Sequence, residues 1–175
     1  MYEPFFTEDE AERLQTAVSY EDLAGVAMAQ LRRLSAAFPI PSGIVCGPIS
    51  NGGLGSKEAN IAHFEEVVRT MVKRTKGNFF SQIPYEEALW RVQDYLAVRE
   101  PDMVHPKGAG NPLLEKFYRP LFESGLIGAA FFIEGWESSE GAVWEHKLCE
   151  EIGLGIWHFD SALNARLFRR NTNYM

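Results

Sequence analysis

Short apolar runs separated by helix-like segments are the feature that most restricts the fold of this chain. Four such runs have strand length: 44–46, 78–83, 129–133 and 154–159. The segments between them repeat apolar residues every three or four positions, as helices do: 60–72, 85–98, 113–126 and 141–152. Strands that alternate with helices favour a parallel sheet with helices packed on its faces. We therefore expect a three-layer, Rossmann-like (flavodoxin-like) α/β fold.

Both ends of the chain are predicted to be helical. Residues 7–10 and 19–22 have the spacing of helix starts, and prolines after position 38 end the second helix. This pattern predicts an N-terminal helical extension over 1–42, ahead of an α/β domain over 43–175. Prolines and glycines predict a loop over 99–112, and the tail over 161–170 is predicted to form a helix.

Composition restricts the partners and the compartment. A chain of 175 residues suits one domain, and its formal net charge of −7 disfavours a nucleic-acid polymer as partner. No apolar run is long enough to span a membrane, and the first residues lack the pattern of a signal peptide. The two cysteines, Cys46 and Cys149, show no metal-ligand spacing. We expect a cytoplasmic protein that uses no metal and no cofactor.

Two segments carry a resemblance to a known family. Residues 46–53 (CGPISNGG) and 135–145 (GWESSEGAVWE) resemble motifs of the nucleoside 2-deoxyribosyltransferases and the related 2'-deoxynucleoside 5'-phosphate N-hydrolases. The second motif is more similar still to uncharacterised bacterial and phage branches, in which a segment like 80–82 (FSQ) also follows the second strand. The resemblance extends over roughly residues 43–159 and implies the same fold.

The resemblance implies a pair of catalytic carboxyl groups. Glu145 matches the nucleophilic glutamate of the family, at the strand-to-helix crossing where α/β sheets bind ligands. Without the resemblance, Glu145 is more simply interpreted as a solvated glutamate on a helix. Glu123 is the best match by spacing to the acid that positions the nucleophile or protonates the base, although the family usually has aspartate there.

Further residues are expected to bind the substrate. In the family, nucleotide hydrolases tend to have serine at the position of Ser139 and transferases an acid, so the resemblance implies a 5'-phosphate. Gly141 belongs to the same motif, and the alternative role of Ser139 is a helix N-cap. The main-chain amides of the first loop are expected to bind the phosphate or, alternatively, to form an ordinary turn: Gly47, Ser50, Gly52 and Gly53. Gln82 and Trp136 are expected to contact the base, with a core position as the alternative for Trp136.

These residues together predict a hydrolase that cleaves the N-glycosidic bond of a (deoxy)nucleoside 5'-monophosphate. The expected partner is a small-molecule nucleotide or nucleoside, with no nucleic-acid polymer and no membrane. The family often completes its sites across a dimer, so the resemblance also implies a homodimer or larger assembly. Three alternatives stay open: a nucleoside deoxyribosyltransferase, a glycohydrolase of NAD-like nucleotides, and a non-catalytic nucleotide-binding or sensing module on the same fold.

Overall fold

The structure is a computed structural model, and it describes residues 6–37, 41–50, 52–75, 77–99, 110–160 and 165–167. Six helices and five strands are present in this part of the chain. The helices are α1 (Glu8–Thr16), α2 (Tyr20–Ala37), α3 (Lys57–Thr75), α4 (Glu86–Arg99), α5 (Arg119–Glu123) and α6 (Glu140–Ile152). The strands are β1 (Ser42–Cys46), β2 (Phe79–Phe80), β3 (Ile127–Phe132), β4 (Gly155–Phe159) and β5 (Ala165–Leu167).

The strands form one sheet in the order β2-β1-β3-β4-β5. Neighbouring strands from β2 to β4 are parallel, which confirms the predicted Rossmann-like α/β fold. β5 pairs antiparallel with β4, so the helix predicted over 161–170 is wrong at 165–167. An edge strand there satisfies backbone groups of β4 that a helix would leave without partners. The rest of that predicted helix lies outside the described residues.

Side chains alternate between the two faces of the sheet and create two cores. Ile44 and Cys46 of β1 point into the larger core, whereas Val45 between them points into the smaller one. Helix α3 covers the smaller core with its buried face, which includes Phe64 and Val68. The larger core lies under α2, α4, α5 and α6. The sheet is therefore the middle layer of three.

The N-terminal helices begin at the predicted capping residues. Thr7 and Glu10 form a reciprocal capping box at the start of α1. Ser19 and Asp22 do the same for α2, with hydrogen bonds of 3.1 and 3.0 Å. The buried face of α2 packs into the larger core together with strands of the sheet.

A wide helical turn over Leu114–Tyr118 precedes α5. The amide of Arg119 donates to the carbonyl of Leu114, five residues earlier, instead of four. The next residue is Pro120, which has no amide proton to continue the ordinary helical pattern. The single predicted helix over 113–126 is therefore a wide turn followed by a short α-helix that ends at Glu123.

The strand order places a crevice at the carboxyl end of β1. The chain runs from β1 outward to β2 and then crosses to β3 on the other side of β1. The segments that follow β2 and β3 consequently leave the sheet on opposite sides of β1. Open α/β sheets bind their ligands outside the carboxyl ends of the strands at such a switch point.

Candidate functional site

A cavity of about 270 Å³ lies at this switch point. The loop after β1, the start of α4, the wide turn before α5 and the first two turns of α6 all contribute to its wall. Its lining comprises Gly47, Ile49, Ser50, Gln82, Glu86, Leu89, Trp90, Gln93, Asn111, Leu113, Leu114, Tyr118, Ser139, Glu140, Gly141, Ala142 and Glu145. Six residues predicted from the sequence are among them: Gly47, Ser50, Gln82, Ser139, Gly141 and Glu145.

Glu145 is the buried carboxyl group of the cavity. It lies on the second turn of α6 and is only 4% exposed. Burial raises the pKa of Glu145 to about 8, because the ionised form loses its hydration, while a hydrogen bond from the Cys46 thiol lowers that pKa in part. A solvated surface position, the alternative interpretation of Glu145, does not apply. At neutral pH this carboxyl holds its proton in a large fraction of molecules and is close to its point of ionisation.

Cys46 forms a hydrogen bond with Glu145, and Tyr118 lines the same cavity. Burial raises the pKa of the Tyr118 hydroxyl well above its usual range, and the charge of Glu145 adds to that rise. Burial also raises the pKa of the Cys46 thiol, with a further contribution from Glu145. Both groups therefore keep their protons next to the carboxyl. Tyr118 was missed in the sequence because an aromatic residue with helical spacing is more often part of the core.

Ser139 starts α6 at the edge of the cavity. Its hydroxyl accepts a hydrogen bond of 3.4 Å from the amide of Ala142, so Ser139 is an N-cap. Ser139 and Gly141 both line the cavity, which is where residues that bind the substrate are expected. The amides at a helix N-terminus point along the helix axis and favour an anion. The two roles expected for Ser139 are thus compatible in this position.

Gly52 and Gly53 hold the first loop in place and are not part of the cavity lining. Both residues have positive φ angles, of 73° and 66°, which glycine adopts without strain. The amide of Gly53 donates to the hydroxyl of Ser138 over 2.9 Å. The buried amide group of Asn60 donates to the carbonyl of Gly52 and accepts a hydrogen bond from the amide of Leu54. The Gly53 amide, which was expected to bind phosphate, therefore donates its hydrogen bond to another residue of the protein.

Gln82 follows β2 and is 2% exposed. It lines the cavity, and its Oε1 atom has no hydrogen-bond partner in the described part of the chain. A buried carbonyl oxygen without a partner is costly unless a ligand or water supplies a donor. This position agrees with the base contact expected of Gln82.

Glu123 lies away from the cavity. Its side chain is 47% exposed and forms a 3.1 Å ion pair with Arg119 on the surface of α5. The sequence analysis expected Glu123 to act beside Glu145, and the structure does not bring the two side chains together in the cavity. The wide turn before α5 adds a residue to the helix, which rotates all later side chains by roughly 100° from the phase of a regular helix.

Trp136 is partly buried, packs against the larger core and is not part of the cavity lining. Its ring stacks on His146 with centroids 4.4 Å apart and an interplanar angle of 3°, and it also contacts Phe132. The Nε2 atoms of His146 and His158 lie 3.1 Å apart beside it. Burial lowers the pKa of both histidines, so the neutral rings are favoured. The core alternative for Trp136 therefore describes its position.

Helix α4 supplies an aromatic and acidic wall that the sequence analysis did not identify. Trp90 is 40% exposed, and its Nε1 donates to Glu86 over 3.3 Å. Lys57 lies 3.4 Å from the same carboxylate and 4.6 Å from the centre of the Trp90 ring. The sequence did contain one indication of this wall: Trp90 follows the apolar run at 78–83 by about two helical turns.

No family model, curated protein or solved structure matches this chain. The geometry and chemistry of the cavity are therefore what supports a function. Within the described ranges, no group of three or more His, Cys, Asp or Glu side chains is placed to hold a metal ion. None of the helices described here is both long and apolar enough to cross a bilayer.

Proposed function

We propose that the protein hydrolyses the N-glycosidic bond of a nucleoside 5'-monophosphate, with Glu145 as the nucleophile. The observation that carries this proposal is a buried carboxyl group inside a cavity at the switch point of the sheet, on the helix whose N-terminus lines the same cavity. A carboxylate below the sugar stabilises the positive charge that develops at C1' or bonds to it.

The reaction proceeds in two displacement steps. The ionised form of Glu145 attacks C1', the C1'–N bond breaks, and its electron pair leaves with the base. Water then attacks C1' of the glycosyl ester, which releases the sugar phosphate, regenerates the carboxylate and frees one proton. The departed base takes up one proton from solvent, so that no net proton is gained or lost. Burial removes water from the carboxylate and makes the ionised form more reactive than in bulk water, while the raised pKa of Glu145 lowers the fraction that is ionised at neutral pH.

The two ends of the cavity suit the two ends of a nucleotide. Ser139 and the amides of the first turn of α6 lie where an anionic phosphate gains from the helix dipole. Gln82 lies after β2, on the other side of β1, and its side chain lines the part of the cavity where the base would bind.

Replacement of the nucleophile tests the proposal directly. Purified wild-type protein is incubated with a panel of nucleotides, nucleosides and NAD, and free base is measured by chromatography. We expect base release from a 5'-monophosphate, and a loss of about a thousandfold or more in kcat for Glu145→Gln.

Glu151→Gln is the matched control, because Glu151 is an exposed glutamate on the same helix. Its rate should equal that of the wild type. Exchange with an added second base would instead reveal a transferase. Binding of a nucleotide without base release, or full activity of Glu145→Gln, would contradict the proposal.

A further inference from the structure

Tyr118 has a hydroxyl group that opens into the cavity without a partner. The residue lines the cavity and is only 6% exposed. Its hydroxyl forms no hydrogen bond with the residues that the structure describes, and it is not one of the unpaired side-chain atoms that are fully enclosed there. The small exposed part of Tyr118 therefore includes the hydroxyl. A nearly buried hydroxyl of this kind is stabilised when a bound molecule pairs with it.

Packing fixes the direction of the Tyr118 ring. Tyr118 is the last residue of the wide turn over Leu114–Tyr118, and its ring meets the ring of Phe117 edge-on, with centroids 4.9 Å apart and an interplanar angle of 85°. Both residues are buried, and Phe117 has no exposed surface. A ring held in this way keeps its hydroxyl in place before a ligand binds, as a preorganised hydrogen-bond donor requires.

The hydroxyl of Tyr118 lies between the expected places of the sugar and the base. The charges of Glu145 and of Glu86 both act on it. Glu145 is the nucleophile of the proposed function, and Glu86 begins α4 on the side of the cavity that Gln82 lines. We propose that Tyr118 donates a hydrogen bond to the leaving base, at the atom that becomes negative as the C1'–N bond breaks. This proposal rests on the proposed function and adds a catalytic residue to it.

The chemistry of the leaving group requires such a donor. A neutral base departs as an anion unless an acid protonates it, and Glu123, the acid expected for this task, lies on the surface. Burial and the neighbouring carboxyl groups raise the pKa of Tyr118, so its hydroxyl keeps the proton and stabilises the anion as a neutral donor. Negative charge passes from Glu145 to the base as the ester forms. The hydroxyl stabilises that charge until the base takes up a proton from solvent, and Tyr118 itself is unchanged at the end.

Replacement of Tyr118 by phenylalanine tests this role with substrates whose bases leave more or less easily. One pair is 2'-deoxyuridine 5'-monophosphate and its 5-fluoro derivative; the other is guanosine 5'-monophosphate and its 7-methyl derivative. In each pair the derivative releases a base that needs less stabilisation, and the pair is chosen by whether the wild type releases a pyrimidine or a purine. We expect Tyr118→Phe to slow single-turnover base release about a hundredfold for the parent nucleotide and about tenfold or less for the derivative.

Two further measurements separate catalysis from structure. Tyr118→Phe keeps the ring and removes a hydroxyl that has no partner among the described residues, so its midpoint of denaturant unfolding should equal that of the wild type. Tyr95→Phe is the matched control, because Tyr95 lies on α4 outside the cavity lining and stacks on Arg99. Its rates of base release should match the wild type for both nucleotides of the pair.

The outcomes distinguish this inference from the proposed function. A loss that is larger for the parent nucleotide than for its derivative supports the hydrogen bond to the base. An equal loss for both nucleotides, or no loss for either, overturns the role of Tyr118 and leaves the proposed function standing. If the wild type releases no base from any nucleotide, the proposed function fails, and the role of Tyr118 fails with it.

Discussion

Burial of Glu145 disfavours its ionised form. Apolar burial is the largest cause, and the Cys46 thiol opposes it with one hydrogen bond. Tyr118 also lies close enough for the charge of Glu145 to raise the pKa of its hydroxyl. Perturbed carboxyl groups of this kind cluster in functional sites, because the same burial that costs stability prepares the group for reaction.

The raised pKa of Glu145 predicts a pH dependence of stability. The group titrates at about 8 in the folded protein against 4.5 when exposed, so the folded state binds the proton more tightly. Its stabilising effect is complete below pH 4.5 and is lost as pH rises through about 8. The difference between these two pKa values corresponds to a change of at most roughly 5 kcal/mol in the free energy of unfolding.

Denaturant unfolding between pH 5 and 9 measures this effect. Wild type should lose stability over that range more steeply than Glu145→Gln, which cannot ionise at this position. The difference in free energy of unfolding between the two proteins should therefore change steadily with pH. Parallel pH profiles would show that Glu145 ionises as a solvated group does.

The proposed function gives Ser139 the role of selecting the end group of the sugar. A hydroxyl beside the N-terminal amides of α6 accommodates a phosphate, whereas a carboxylate there repels it by about 4 kcal/mol at 4 Å and an effective dielectric of 20. We predict that wild type prefers 5'-monophosphates and that Ser139→Asp shifts the preference to unphosphorylated nucleosides. The ratio of kcat/KM for a nucleotide and its nucleoside measures the shift.

Ser139→Ala is the control for this experiment. It removes the cap at a cost of about 1 kcal/mol of stability without adding charge. Like the wild type, Ser139→Ala should still have a higher kcat/KM for the 5'-monophosphate than for the nucleoside. An unchanged ratio in Ser139→Asp would assign Ser139 to capping alone.

At the scale of elements, the site depends on how closely the loop after β1 approaches the end of β3. A Cβ atom on Gly47 would overlap the side chain of Ile133, so only glycine fits there. Asn60 reaches across from α3 to the carbonyls of Ile49 and Gly52 at 3.2 and 3.0 Å. These contacts keep the loop tight against the sheet and leave the cavity open beside it.

Substitution of two glycines should have opposite effects on stability. Gly47→Ala forces the loop and β3 apart and should cost about 1–3 kcal/mol, together with a loss of base release. Gly141→Ala lies in helix α6 with no atom closer than 3.8 Å to the new methyl group, so it should gain roughly 0.5–1 kcal/mol. Denaturant unfolding of both variants measures the contrast. Equal stability of the two would contradict the close approach at Gly47.

For the whole molecule, α2 and the sheet share one core. Leu23, Ala27 and Leu31 of α2 have no exposed surface and belong to the same cluster as Ile44 of β1 and Phe132 of β3. A fully buried leucine contributes about 1.5–3 kcal/mol through burial alone. The boundary predicted at residue 42 therefore lies between segments that pack together.

We predict that the N-terminal helices are needed for stable folding. Leu31→Ala should cost about 2–5 kcal/mol, because it leaves a cavity in the larger core. Val98→Ala is the control, since Val98 is 84% exposed and its loss should change stability by at most about 0.5 kcal/mol. Removal of residues 1–41 should abolish cooperative unfolding. A truncated protein that unfolds cooperatively with native stability would contradict this role of α2.

Much of the fold follows from patterns that act over a few residues. The apolar run at 44–46 is a strand buried on both faces, and the run at 129–133 is a strand whose side chains are buried or partly buried, as strands between two layers of helices require. Ser139 starts α6, and Gly153 ends it with a φ of 72°. The spacing from Ser139 to Glu145 then places the carboxyl on the second turn, whatever surrounds the helix.

The sequence by itself thus determined the order of strands and helices as far as β4, the capped start of α6 and the place of Glu145 on it, because these depend on near neighbours along the chain. Only the tertiary structure decided that β5 follows as a strand, and that Tyr118, not Glu123, shares the cavity with Glu145, since a wide turn before Pro120 changes the phase of the helix. It also decided that Trp136 stacks on His146 while Trp90 lines the cavity. Which face of a helix meets a cavity depends on packing between distant elements, and that information is not carried by local spacing.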